Sequence, residues 1–327
     1  MTTFVCVGCD AVLTVPMVRV ALPVHTRGKV GNGVRDMPVL MAAGTFAVDP
    51  NPSGPPWRRW SDLTAEQAAE RGVFAPVWSV SFGARERIAM APGDVLGTVL
   101  IPERASGYCC GFAGGDGPNL ACVKCGLLVA TRIDDCSLWQ VVWLEPGAVR
   151  AVPGDAPAPA EVAFTGRFGE REAAGAHALA HLIAASDGRP VTVPDGGVAE
   201  LFRRALDGLL PAGAPAKTVA LAGPGLPVPD ADILLVPGEA RPGCVALPPE
   251  LWRSLAFPGK WPPIPATGGF PDGVLRDDPP PAPARSLFEP DREIFLSTLA
   301  RLPAVRQPWL REIYDRVNAD RNALRFP

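Results

Sequence analysis

Two short cysteine motifs carry the strongest chemical signal in the sequence. Cys6 and Cys9 form one C-x-x-C motif, and Cys122 and Cys125 form a second. This spacing lets a single turn aim both sulfurs at one tetrahedral Zn²⁺, so the two motifs together supply four thiolate ligands. With four protein ligands, no coordination position stays open for water or substrate. The sequence therefore predicts one structural Zn²⁺ per chain at these cysteines, with a redox-active or fortuitous pair as the alternative.

Four further cysteines leave several kinds of chemistry open. Cys109 and Cys110 precede the second motif, Cys136 follows it, and Cys244 lies in an apolar run typical of a core strand. The first three could form a second metal site, a vicinal disulfide or a reactive thiol, or could simply be small buried hydrophobic residues. Two aspartates directly before Cys136 raise the pKa of its thiol if they lie near it, which makes it a poorer nucleophile.

Two of the three histidines have the spacing of a helical metal site. His177 and His181 are four residues apart, which places both imidazoles on one face of a helix. The metalloprotease motif with this spacing has a glutamate after its first histidine, but Ala178 stands there. Glu170 or Glu172 could supply a third ligand. The pair is therefore either a metal-dependent site or part of a half-buried helix face.

Other catalytic and nucleotide-binding patterns are missing from the sequence. The glycine-rich run at 222–225 follows a strand-like run, but nearby prolines prevent the helix whose N-terminus would hold a phosphate. The sequence has no Walker lysine and no nucleophile-elbow serine. His25 has no partner nearby in sequence and is predicted to lie in a loop or at a strand surface.

The elements that must position these residues change character along the chain. Residues 1–150 are β-rich, with β-branched runs at 17–22, 77–82 and 95–101. One helical run is predicted there, at 63–71, with Ser61 and Asp62 as cap candidates.

Helical spacing becomes frequent only after residue 160. Helices are predicted at 170–186 and 198–210, interleaved with apolar runs of the kind buried in an α/β sheet, at 191–193, 218–222, 233–236 and 245–247. A helix at 291–302 is followed by one beyond Pro308. One face of the latter carries Trp309, Leu310, Ile313, Tyr314, Val317 and Leu324.

Proline and glycine mark the predicted domain boundaries. They occupy 73 of the 327 positions, as 39 Pro and 34 Gly, about twice the usual share of roughly 12%. A proline-rich stretch at 146–159 predicts an extended connector, and ten prolines at 258–290 predict an extended arm. The predicted fold class is a multidomain α+β protein. Its parts are a zinc-bound antiparallel β domain (1–150), a small α/β domain (160–256) and a proline-rich arm with C-terminal helices (257–327).

Charge and hydropathy argue against two classes of partner. Residues 1–150 contain 13 basic and 13 acidic side chains and no basic block, which argues against nucleic acid as a partner. No apolar run approaches the roughly 20 residues needed to cross a bilayer, and the first residues lack a signal-peptide pattern. The sequence predicts a cytoplasmic protein without a membrane partner, whose cysteines are thiols or metal ligands rather than disulfides.

The layout of the first 150 residues resembles the β-tent zinc fold. The shared features are a C-x-x-C motif beside strand residues, a long β-rich excursion, and a C-x-x-C-G motif that leads into the strand-like run 127–131. This fold is common to the cereblon thalidomide-binding domain, the Yippee proteins and methionine sulfoxide reductase B. The matching residues are Cys6, Cys9, Cys122 and Cys125. As a whole, the chain resembles an uncharacterised actinobacterial family, which implies no function.

Two of these relatives imply further site residues. Resemblance to the cereblon-type domain implies an aromatic cage for a small cyclic ligand, with candidates Trp57, Trp60, Trp78, Tyr108 and Phe112. Methionine sulfoxide reductase B has a catalytic cysteine after its second motif, a position that Cys136 alone fills in this sequence. The residues around Cys136 lack the Arg-x-Cys-x-Asn context of that family.

The preferred functional hypothesis is a zinc-stabilised binding or scaffold protein. Its β domain would present a pocket or surface for a peptide, a protein or a small-molecule ligand. The alternative is an enzyme, either thiol-dependent through Cys136 or Cys109 and Cys110, or metal-dependent through His177 and His181. A nucleic-acid-binding zinc ribbon is a third hypothesis, which the neutral charge balance opposes. The oligomeric state is left open.

Overall fold

The chain folds into two compact units of mixed α+β structure. A computed structural model describes residues 1–25, 39–104, 111–115, 117–154, 170–238, 241–257, 290–320 and 322–324. One unit comprises 1–165 with 300–306, and the other comprises 166–299 with 307–327. The described residues form antiparallel sheets and six α-helices, which confirms the predicted α+β class. The three-part domain division stays a prediction, and residues 258–289 of the proline-rich arm lie outside the described residues.

The described part of the first unit contains eleven strands and one short α-helix. These are β1 (Thr2–Cys6), β2 (Val18–Arg19), β3 (Thr45–Asp49), β4 (Trp57–Arg59), α1 (Ala65–Glu70), β5 (Ser79–Ser81), β6 (Arg87–Met90), β7 (Thr98–Leu100), β8 (Leu120–Cys122), β9 (Leu128–Ile133), β10 (Val141–Leu144) and β11 (Val149–Pro153). Seven of the strands form one sheet in the order β2-β3-β6-β10-β9-β8-β7. Its pairs are antiparallel except β2 with β3. Two-stranded antiparallel sheets join β1 to β11 and β4 to β5.

Two of the motif cysteines lie in the main hydrophobic core of this unit. Cys6 ends β1 and Cys122 ends β8, and both side chains are buried. The rings of Phe4 and Phe46 meet edge-on in the same cluster, with centroids 5.1 Å apart. The other fully enclosed members include Leu13, Met17, Met90, Val129, Val142 and Leu144. Burial of these side chains therefore fixes the two strands whose ends carry the cysteines.

A buried arginine provides a second anchor in the first unit. Arg87 on β6 is only 2% exposed and forms an ion pair with Glu145. Its Nη1 also donates to the carbonyls of Ser53, at 3.2 Å, and Pro55, at 2.8 Å. Burial lowers the pKa of Arg87, and the adjacent carboxylate opposes that shift. Because Arg87 is enclosed and Glu145 is half-buried, each charge depends on the other for compensation.

The other described elements include one parallel sheet. They are α2 (Glu170–Ala185), β12 (Val191–Thr192), α3 (Gly197–Leu209), β13 (Lys217–Leu221), β14 (Ile233–Pro237), β15 (Cys244–Leu247), α4 (Pro249–Ala256), α5 (Arg292–Arg301) and α6 (Pro308–Ala319). Strands β12 to β15 are hydrogen-bonded in sequence order, and every pair is parallel. Helices α2, α3 and α4 pack against the sheet. Helix α6 buries Leu310, Ile313, Tyr314 and Val317 of the predicted apolar face, whereas Leu324 is buried beyond the helix end.

Two sequence predictions about helices need correction. Neither Ser61 nor Asp62 caps α1, which begins after Thr64. Thr64 Oγ1 accepts a hydrogen bond from the Gln67 backbone N–H, and Gln67 Oε1 accepts one from the Thr64 N–H. This capping box defines the start of the helix.

Helix α4 was missing from the sequence predictions. It begins at Pro249, directly after Pro248, and proline is compatible with the first turn of a helix.

The connector prediction at 146–159 is also wrong in its first half. Residues Val149–Pro153 form β11, which pairs with β1 in a register that places Cys6 opposite Val149. The partner strand lies more than 140 residues away in sequence. Local hydrophobic periodicity therefore carried no signal for this strand.

Candidate metal centre

The structure brings the four predicted zinc ligands together. The sulfurs of Cys6, Cys9, Cys122 and Cys125 all lie within 4.8 Å of one another. The Cys6 and Cys125 sulfurs are 3.5 Å apart, and those of Cys9 and Cys122 are 3.6 Å apart. Four thiolates bound tetrahedrally to zinc at about 2.3 Å have sulfurs about 3.8 Å apart. The spacing of this four-cysteine cluster therefore fits a single metal ion.

Both motifs are built on the same backbone turn. In the first, the Asp10 N–H donates to the Cys6 carbonyl and the Cys6 N–H donates to the Ala11 carbonyl, both at 2.9 Å. In the second, the Gly126 N–H donates to the Cys122 carbonyl, and the Cys122 N–H donates to the carbonyl of residue 127, both at 2.8 Å. The residue after each second cysteine is left-handed, with φ of 56° at Asp10 and 76° at Gly126. The two turns are therefore equivalent halves of one site.

A short segment before β7 connects the two turns. The Leu96 N–H donates to the Leu13 carbonyl at 2.7 Å, and the Val123 N–H donates to the Gly97 carbonyl at 3.0 Å. Gly97 has φ of 56°, and a Cβ at this position would lie 2.5 Å from the Val12 carbonyl oxygen. Only glycine permits this close approach of the backbones. This contact aligns the motifs independently of any metal.

The backbone of the second turn favours a thiolate at Cys122. Burial raises the pKa of Cys122, but N–H groups of Cys125 and Lys124 donate to the sulfur and lower the pKa on balance to about 7. The pKa of Cys9 is raised: the backbone N–H of Ala11 lowers it, while burial and the neighbouring thiols raise it more. One sulfur is therefore readily ionised, and a cation is needed to hold further thiolates beside it.

The four-cysteine cluster is closed on one side and open on the other. Cys6 and Cys122 are buried in the core, Cys9 is half-buried and Cys125 is exposed. Two exposed apolar side chains, Val7 and Val123, lie within the two motifs, and Val99 is exposed on β7, the strand paired with β8. The cluster therefore joins the core to a surface rather than lying in a deep cleft.

Of the remaining cysteines, Cys136 and Cys244 lie in the described residues, and neither is part of the cluster. Cys136 lies half-buried in the turn between β9 and β10, where the Asp135 carboxylate accepts hydrogen bonds from the backbone and hydroxyl of Ser137. Asp134 pairs instead with Arg132, at 2.7 Å. Cys244 begins β15 in the parallel sheet. Cys109 and Cys110 lie outside the described residues, so the predictions for them stand untested.

The two histidines of α2 do lie side by side. The ring centroids of His177 and His181 are 4.7 Å apart, and the rings are inclined by 64°. His177 Nδ1 lies 3.1 Å from Thr298 Oγ1 on α5. Among the described side chains, no carboxylate or thiol forms a three-residue group with them; the side chain of Glu170 is not described. Sequence reasoning missed Thr298, because it lies 121 residues from His177.

Packing contacts account for both His25 and the Ala222–Gly225 turn. His25 packs 6.3 Å from the Trp143 ring, and its Nδ1 lies 2.8 Å from the Pro23 carbonyl oxygen. His25 lies half-buried in the loop after β2, one of the two places predicted for it, and burial lowers the pKa of its ring. Gly223 lies under Trp252, whose indole N–H donates to the Ala222 carbonyl at 3.1 Å. Packing of α4 therefore accounts for this glycine-rich turn.

The aromatic candidates are spread over two regions of the first unit. Trp57 is on β4, Trp60 follows it, and Trp78 precedes β5 with 76% of its surface exposed. Arg59 lies over the Trp78 ring, 5.6 Å from its centroid. Phe112 lies elsewhere, beside β9, under Arg132. Tyr108 lies outside the described residues. The aromatic cage stays a prediction.

Sequence reasoning also missed an arginine–aromatic cluster beside Trp78. Arg58 and Arg71 both lie over the Phe82 ring, at 4.4 and 5.2 Å from its centroid. Arg71 is held in place by its Nε, which donates to the Ser81 carbonyl at 3.1 Å. The run Trp-Arg-Arg-Trp at 57–60 was the available signal. Its meaning depended on the pairing of β4 with β5.

Comparisons with protein-family models, curated proteins and solved structures find no match to this chain. The β-tent resemblance and the predicted activities therefore stay predictions. None of the helices in the described ranges has the length and apolar character needed to cross a membrane.

Proposed function

We propose that the four-cysteine cluster binds one structural Zn²⁺ and that the first unit is a binding module rather than an enzyme. The donor set carries this proposal. In the part of the chain that the structure describes, the group contains four thiols and neither a histidine nor a carboxylate. Thiolates select Zn²⁺ over Mg²⁺ or Ca²⁺, and four of them leave no coordination position for a substrate.

We further propose that this unit is a β-tent-type zinc domain. Its two equivalent turns follow β1 and β8 and meet across a β-rich core, as the resemblance implies. Zinc at this place would join the end of an N-terminal strand to a hairpin 112 residues later. In this role the metal stabilises a surface and does not act on a substrate.

The surface that best suits a ligand lies at the two-stranded β4–β5 sheet. We define the arginine–aromatic surface as Arg58, Arg59, Arg71, Trp78 and Phe82. Trp78 is the most exposed aromatic side chain in the described chain. Exposed tryptophan and arginine side chains dominate binding energy at protein interfaces. A peptide or small ligand with an apolar group for Trp78 and a carboxylate for Arg59 matches this chemistry.

Metal analysis tests the zinc proposal directly. Protein purified without chelator should contain close to one zinc per chain by elemental analysis, and Cys122→Ser should lower this content sharply. Cys244→Ser is the matched control, because that thiol is half-buried on β15 away from the cluster. Less than about half an equivalent of zinc in the parent protein would overturn the proposal.

Peptide selection tests the binding role separately. Zinc-loaded protein, immobilised and exposed to a displayed random-peptide library, should enrich a related set of sequences. Trp78→Ala should abolish capture of the enriched peptides, whereas Val228→Ala should not, although Val228 is 95% exposed. Failure to enrich any sequence family, or equal capture by the Trp78 variant, would contradict the proposed surface while leaving the zinc result intact.

A further inference from the structure

The histidine pair, His177 and His181, has a geometry suited to chelation by one ion. The two residues occupy adjacent turns of α2, and their ring centroids are 4.7 Å apart. A nitrogen that binds a transition metal at about 2.1 Å holds its ring centre about 3 Å from the ion. Two such rings at roughly right angles around the ion have centres about 4.5–5 Å apart. The observed separation lies within this range.

A second helix fixes one of the two rings. Thr298 on α5 is 8% exposed, and its Oγ1 lies 3.1 Å from His177 Nδ1. When the Nδ1–H donates to this hydroxyl, the lone pair of His177 is on Nε2. Ligating histidines commonly donate their second ring N–H to an outer partner of this kind, which orients the ring. Thr298 therefore supplies the support that a metal ligand needs.

Both rings are partly open to solvent. Each histidine is half-buried on α2, so an ion can reach the rings from solution. Neutral imidazole is the form that binds metal, and the ordinary imidazole pKa of about 6.5 already leaves most of it neutral at pH 7.

We propose that His177 and His181 form a second metal site, open to solvent, for a divalent transition ion such as Ni²⁺, Cu²⁺ or Zn²⁺. Two imidazole donors without a described carboxylate partner favour these ions over Mg²⁺ and Ca²⁺, which prefer oxygen ligands. Water or an exogenous ligand would fill the other positions. This proposal rests on α2 and α5 and is independent of the proposed zinc domain.

Paramagnetic Ni²⁺ gives a direct test in the parent protein. The chain has only three histidines, so untagged protein that contains no more than one zinc per chain should show three sets of imidazole NMR signals. Sub-stoichiometric Ni²⁺ should broaden the signals of His177 and His181 and leave those of His25 sharp. Broadening of all three sets alike, or of none at millimolar Ni²⁺, would overturn the proposal.

Calorimetric titration of the same protein with Ni²⁺ tests the residues. We expect one site per chain, with binding weakened at least tenfold in His181→Gln and unchanged in His25→Gln. Thr298→Val, which keeps the side-chain shape, should weaken binding by about tenfold through loss of the outer partner. Circular dichroism of each variant shows whether it is folded. Binding of equal strength in folded His181→Gln would place the ion elsewhere and refute the site.

Discussion

The two candidate metal sites differ in how their donors are brought together. The four-cysteine cluster takes two thiols from each of two turns, with 112 residues between Cys9 and Cys122. The histidine pair lies within two turns of one helix. An ion in the first site closes a long loop and therefore adds directly to folding stability, whereas an ion in the second joins residues that α2 already holds together. On these proposals, the first ion would be structural and the second would exchange with solution.

Loss of a cysteine ligand should have the largest effect. Cys122→Ser, or a strong chelator, should lower the free energy of unfolding of the first unit by about 4 kcal/mol or more, the scale of a closed loop of roughly 100 residues. Urea unfolding followed by tryptophan fluorescence measures this loss. His181→Gln should be far milder. Equal losses of unfolding free energy in Cys122→Ser and His181→Gln would show that the two sites do not differ in their contribution to folding.

The buried arginine tests whether metal alone holds the first unit together. Arg87→Ala leaves the half-buried Glu145 without this partner and removes the donor to the carbonyls of Ser53 and Pro55. We expect a loss of about 3–5 kcal/mol in the free energy of unfolding, with zinc still bound. Arg150→Ala is the control, because its ion pair with Asp10 is exposed and contributes at most about 1 kcal/mol. If Arg87→Ala lowers the free energy of unfolding only slightly, the metal rather than this ion pair stabilises the first unit.

The histidine pair should make the other unit sensitive to acid. Because the pKa of His177 is about 4 in the folded chain and about 6.5 when unfolded, the unfolded state binds more protons between these values. The stabilisation is complete above pH 6.5 and is lost as the pH falls towards 4. It amounts to about 2 kcal/mol between pH 7.5 and 5.

Comparison of the parent with His177→Asn isolates this contribution. Thermal unfolding at both pH values should show a shallower pH dependence in the variant, because asparagine does not titrate. Parallel pH profiles for the two proteins would show that the pair does not stay neutral in the folded state.

Substitutions at the left-handed residue of each cysteine turn should change stability the least. Gly126 has φ of 76° with no atom near its absent Cβ, so Gly126→Ala should lose about 1 kcal/mol through backbone conformation alone. Asp10→Gly, the equivalent position of the other turn, should change stability by less than about 0.5 kcal/mol. Relief of the left-handed Asp10 there offsets loss of its exposed ion pair with Arg150. Chemical unfolding of the pair of variants measures the difference, and a reversed order would show that the turns are not equivalent.

Sequence reasoning was most successful where the signal was local. The C-x-x-C spacing and the separation of His177 from His181 each place two donors on one turn or one helix face, and both pairs lie as expected. The helices α2 and α3 and the four parallel strands were also visible in local hydrophobic patterns. Strand β11 was missed because its only signal is its partner, β1.

The amino-acid sequence by itself determined which donors are present and how neighbouring donors are spaced. Covalent geometry sets such distances within a turn, whatever surrounds it. Only the tertiary structure decided that the two cysteine motifs meet, that Gly97 lets their backbones approach, and that Thr298 supports His177. These contacts join residues far apart in the chain. They form only because burial of a common core outweighs the entropy of closing long loops, and no local pattern records that balance.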